Sequence, residues 1–168
     1  MYSHQRQSRT HNPWWDTAQI CINGHVINIL AVDQKDRNAP FCRDCGARTI
    51  MACEHCATAI RGMRHYDMGA RPFAVPMNCE NCGAQFPWTE SAIAAAHELV
   101  AEFELSAEDK ATLDQDVVLL VEDSARTQVA ALRTQRILSK AGSGAMEIFV
   151  QVLSGVLTEV AKGVLLPH

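Results

Sequence analysis

The chain has 168 residues, 48% of them hydrophobic and 20% charged, with a formal net charge of -4. This is the composition of a soluble globular protein with room for one ordinary domain or two small ones, and the acidic balance argues against a molecule built around neutralising phosphate. The average hides an asymmetry, because residues 1–89 carry +2 and residues 90–168 carry -6.

The N-terminal stretch MYSHQRQSRTHNPWWD has no apolar core and no small-residue cleavage pattern, so it reads as a flexible polar arm, residues 1–16, rather than a secretion signal. No apolar run approaches the roughly 18 residues of a membrane span. The expected location is cytoplasmic, where closely paired cysteines are metal ligands or redox groups more often than disulfides. All seven cysteines lie at or before Cys82, and an odd number leaves one thiol over in any all-disulfide scheme.

They fall as Cys21 alone, then Cys42/Cys45, Cys53/Cys56 and Cys79/Cys82. His25 follows Cys21 at a spacing of four and supplies the missing partner, giving eight donors and two tetrahedral sites. A short spacer lets one tight turn aim two donors at one ion. Glycine suits those turns, since Gly24 lies inside the first and Gly46 and Gly83 directly follow the second cysteine of their pairs. In a serial arrangement Cys21, His25, Cys42 and Cys45 share one zinc while Cys53, Cys56, Cys79 and Cys82 share the other; a cross-brace would join alternate pairs. The intervals suit short hairpins, with Val26–Val32 and Phe73–Met77 as strand-like segments, and favour the serial form. The four-cysteine site has a spacing that could also take iron. His65 is the reserve ligand for His25, whereas His55 should point away from the ion and His97 belongs to a helix.

The segments AQICINGHVIN, FCRDCGARTI, CEHC, IRG and NCENCGAQFPWTE, with ART and ILSKAG in the tail, resemble a bacterial family of uncharacterised double-zinc-ribbon proteins. The similarity runs from about Thr17 to the C-terminus. It implies a cytosolic protein holding two structural zinc ions through Cys21, His25, Cys42, Cys45, Cys53, Cys56, Cys79 and Cys82, and it implies no activity.

From Thr89 the pattern becomes helical. Ile93, Ala96, Val100 and Phe103 mark one buried stripe, and Ser106 with Asp109 caps a second helix presenting Leu113, Val117, Leu120 and Val121. A third helix reaches about Lys140 with Val129, Leu132 and Leu138 as apolar anchors. The last, 145–165, is the most apolar and reads as the central helix of a four-helix bundle or as a face for another subunit. The expected fold is therefore α+β: a small β double zinc ribbon, 17–88, followed by an all-α helical bundle, 89–168.

Eight donors for two ions leave no open coordination position, and no deaminase or zinc-protease motif is present, so neither site is expected to catalyse. The expected function is a non-enzymatic, zinc-binding interaction or adaptor module, whose partner is a protein or a second copy docking through the C-terminal helices. The alternative is nucleic-acid binding through the Arg/aromatic face of residues 61–73, including Arg61, Arg64, Tyr66, Arg71 and Phe73.

Overall fold

A computed structural model describes residues 14–64 and 73–166. The chain divides into two compact units, Met1–Trp88 and Thr89–His168.

The first unit is built from short strands: β1 (Trp15–Thr17), β2 (Gln19–Cys21), β3 (Val26–Asn28), β4 (Thr49–Ile50) and β5 (Arg61–Arg64). One antiparallel sheet has the order β3-β2-β4, and β1 pairs antiparallel with β5 in a second. Trp15 and Asp16, read from the sequence as the end of a polar arm, are part of β1, and Asp16 is buried. Its carboxylate accepts the backbone N–H of Val32 (2.9 Å) and of Asp33 (3.1 Å), so the burial of the charge is offset by hydrogen bonds that anchor the loop after β3. Trp14 is exposed, and residues 1–13 of the arm lie outside the described residues.

Amide side chains hold that loop from within. Asn28 donates to the Gln34 carbonyl (2.8 Å), Asn38 to the Ala31 carbonyl (2.9 Å), and Gln19 clamps Ala39 from both sides. Val26–Val32, expected as one strand, is a strand only to Asn28; beyond it the side chains hold the loop while the Ile29 carbonyl still accepts the Met63 N–H and the Ala31 N–H donates to the Thr17 carbonyl. Phe73–Met77 forms no strand. Its neighbour instead serves the core, since Trp88 Nε1 donates to the Pro76 carbonyl (2.8 Å) while its ring stacks on Phe86 at 4.7 Å.

The apolar core of this unit is thin. Ile20, Ile50, Ile60, Phe86 and Trp88 are its large buried side chains, and the remainder are alanines and the cysteines Cys21, Cys42, Cys53 and Cys79. So small a set does not offset the ordering of some tens of residues at about 1–2 kcal/mol each. Cross-linking through the cysteines is what the local sequence supplies instead.

The second unit is helical: α1 (Pro87–Glu102), α2 (Ala107–Val121), α3 (Thr127–Leu138), α4 (Ala145–Leu153) and α5 (Glu159–Leu165). The fold class is thus α+β. Ser106 caps α2 as expected, its hydroxyl accepting the Asp109 N–H at 3.1 Å, and Leu113, Val117, Leu120 and Val121 are all buried. Helices α2 and α3 run side by side, tied by Asp116–Arg133 and, just beyond the end of α3, by Asp109–Lys140. Asp116 is fully buried, and the Arg133 guanidinium meets its carboxylate with two N–H groups.

Two helical expectations are corrected. On α3, Val129 and Leu132 are exposed, and the inward face is Thr127, Ala130, Ala131, Thr134, Ile137 and Leu138. Small residues there let α3 approach α2 and α5 closely, a gain that the larger side chains would prevent. The apolar segment 145–165 is not one helix. It breaks over Ser154–Thr158, where Gly155 disfavours helix and Thr158 starts α5 by accepting the Ala161 N–H at 3.2 Å. Val156 and Leu157, within the break, are both buried.

Candidate metal centres

Each cysteine pair sits in the same local frame. The residue before the first cysteine bridges the third residue after the second: Phe41 with Arg48, Ala52 with Ala59, Asn78 with Gln85. Within each turn the first cysteine's N–H donates across it, to the carbonyl of Ala47, Thr58 or Ala84, and its carbonyl accepts from Gly46, Ala57 or Gly83, all at 2.8 Å. Residues at the last position adopt left-handed backbone, at φ 71° for Gly46 and 75° for Gly83. Ala57 holds the same conformation at φ 58° with a Cβ, which costs about 1 kcal/mol that the glycines avoid. Cys21 and His25 form the fourth turn at the tip of the β2–β3 hairpin, with Cys21 N–H donating to the His25 carbonyl at 2.9 Å.

These four turns meet in two groups. Cys21, His25, Cys42 and Cys45 bring their donor atoms within 4.8 Å of one another, and so do Cys53, Cys56, Cys79 and Cys82. The grouping is serial, and the cross-brace is not the arrangement found. Sulfur separations are 3.8 Å for Cys21–Cys45, 3.8 Å for Cys53–Cys82 and 3.6 Å for Cys56–Cys79, and Cys42 Sγ lies 3.5 Å from His25 Nδ1. A tetrahedral ion with metal–sulfur bonds of about 2.3 Å and metal–nitrogen bonds of about 2.0–2.1 Å requires S–S edges of about 3.8 Å and S–N edges of about 3.5 Å. The donors thus stand where a four-coordinate ion would hold them. All seven cysteines are free thiols.

Neighbouring dipoles favour ionised sulfur. The Thr58 hydroxyl, 3.2 Å from Cys56 Sγ, and the Thr58 N–H hold that thiol down at about 6. Cys45 is lowered by the Ala47 N–H and by the Asn23 amide, 3.5 Å from its sulfur, whereas burial raises Cys21. The Ala84 N–H favours the Cys82 thiolate, yet the Cys56 sulfur and burial outweigh it and push Cys82 up to about 12. Four crowded thiols do not ionise together without a cation, so metal uptake expels protons and weakens in acid. Asn23 and Thr58, outer partners that orient ligands, carry no motif that the sequence reading used; their signal is a short polar side chain within two residues of a ligand.

The other expected residues are dispersed. His55 is exposed in its turn, and His97 Nδ1 bonds Asp114 Oδ1 at 2.8 Å between α1 and α2. His65, Tyr66 and Arg71 lie outside the described residues. Arg48 pairs with Glu54, and Arg61 pairs with Glu80 while lying 4.9 Å over the Trp15 ring, where Arg64 also stacks at 5.9 Å.

Against known proteins, residues 14–165 match the family described as an uncharacterized protein conserved in bacteria, DUF2321. The chain belongs to that family. No curated protein and no solved structure matches it. Two Cys/His clusters able to hold metal ions, followed by five helices, are therefore the architecture of this member of DUF2321. Among the described residues no helix is long and apolar enough to cross a membrane.

Proposed function

We propose that the chain is a zinc protein whose two ions are structural and whose role is recognition, an interaction module rather than an enzyme. The observation that carries this is the closure of both clusters, four donors each and all within 4.8 Å. A closed tetrahedron has no position for a water or a substrate, so an ion there braces the chain and does no chemistry. The imidazole among three thiolates in the first cluster favours zinc over iron, and the same reading extends to the four-thiolate cluster. Thiols that must stay reduced to bind metal suit a cytoplasmic compartment.

For recognition, rigid turns at the clusters display side chains outward. Val26 and Phe41, each adjacent to a donor of the first cluster, are exposed, and Arg43 beside Cys42 is 93% exposed. An aromatic and an arginine on a braced frame are what protein interfaces favour. Native mass spectrometry of the purified chain is expected to give the mass of the protein with two zinc ions. One ion per chain, or iron in place of zinc, would refute the assignment.

A further inference from the structure

In the second unit the exposed large apolar residues are confined to the last three helices: Val129 and Leu132 on α3, Ile148 on α4, Val160 on α5 and Leu166 just after it, each 43–55% exposed. Among the described residues, α1 and α2 have none. The charges beside them divide by helix. Helix α3 has no acidic residue, and Arg126 and Arg136 stand exposed beside Val129 and Leu132. Helix α4 has no basic residue, and Glu147 adjoins Ile148; Glu159, paired with its own Lys162, adjoins Val160. Exposed apolar residues thus have basic neighbours on α3, an acidic neighbour on α4 and a neutral ion pair beside them on α5.

We propose that a second copy of this chain covers them, α3 of each copy lying against α4 and α5 of the other about a twofold axis. This deepens the interaction-module reading and rests on it. Like faces repel, because α3 on α3 opposes arginines and α4 on α4 opposes glutamates, whereas α3 on α4 and α5 joins apolar residues and brings the basic rim of α3 to the acidic neighbour on α4. A twofold axis makes both contacts at once and closes the assembly.

Sedimentation equilibrium of the zinc-loaded full chain tests this, with a species of twice 18.5 kDa expected. Arg136→Glu and Glu147→Arg change exposed positions, and retained far-UV circular dichroism checks that each variant folds. Each alone places like charges at both contacts and should weaken the dimer by about tenfold or more. Mixed in equal amounts, the two variants form a heterodimer in which every contact is again opposite in sign, and dimerisation should return. A monomeric wild type, a dimer indifferent to either reversal, or a mixture that stays monomeric would each overturn the proposal. The metal count is read separately: a monomer carrying two zinc ions sinks the dimer and leaves the metal assignment standing.

Discussion

Substituting Cys79 by serine is expected to unfold the part of the first unit around the second cluster while the helices persist. Cys79 is buried, its N–H and carbonyl close a turn at 2.8 Å, and its sulfur stands 3.6 Å from Cys56 in the second cluster. Structural zinc contributes about 10–16 kcal/mol of apparent binding energy at neutral pH, as much as or more than the whole stability of a typical domain, about 5–15 kcal/mol. The large apolar side chains of this unit are few, so around the second cluster no comparable source of stability stands behind its ion, and the first cluster braces only the β2–β3 and Cys42–Cys45 turns. A strong chelator should act on both clusters. Amide dispersion in the NMR spectrum should collapse around Cys53–Cys56 and Cys79–Cys82 in the variant and through the first unit with the chelator, with the far-UV helical signal retained in both cases. His55→Ala is the control, since His55 occupies the neighbouring turn but is exposed and contributes no donor to either cluster. Unchanged dispersion in Cys79→Ser would show that the cluster does not hold the unit together.

The second large effect is expected at a position with no chemistry at all. Gly62 lies in β5, and a Cβ there would meet the Ile29 carbonyl oxygen at 2.3 Å, the Thr17 carbonyl carbon at 2.7 Å and the Ala18 nitrogen at 2.9 Å. None of these can swing aside as a side chain would. The Ile29 carbonyl accepts the Met63 N–H and the Ala18 N–H donates to the Ile60 carbonyl, both at 2.8 Å, so yielding to a methyl group breaks the strand contacts on either side. Gly62→Ala should therefore destabilise the metal-loaded first unit by about 3 kcal/mol or more, lowering its melting temperature by more than about 10 °C. Gly155→Ala, where a Cβ meets nothing within 4 Å, should change stability by less than about 1 kcal/mol. Equal melting of Gly62→Ala and wild type would show that β5 does not lie as described.

What the sequence made legible was local and chemically marked. Paired donors at short spacing, glycine at the end of a turn and a serine three residues ahead of an aspartate each act within a few residues, so Cys42, Gly46 and Ser106 could be placed without knowing the rest of the chain. What it hid depends on partners distant in sequence. Asp16 reads as polar arm because the N–H groups of Val32 and Asp33 that justify its burial are far away in the chain. Ala57 shows no sign of its left-handed backbone, which the hydrogen bond to the Cys53 carbonyl imposes. On α3 hydrophobicity pointed to Val129 and Leu132, but close helix approach selects alanine and threonine for the inside. The turn between α4 and α5 was masked by the apolar character of Val156 and Leu157, which are buried in the turn itself.

X-ray absorption at the zinc edge of the purified protein tests the central claim most directly. Seven sulfurs and one nitrogen shared between two ions are predicted, with zinc–sulfur distances near 2.3 Å, a single imidazole contribution near 2.0–2.1 Å and no oxygen in the first coordination sphere. An oxygen ligand at either ion, or a sulfur complement short of seven, would contradict two closed clusters.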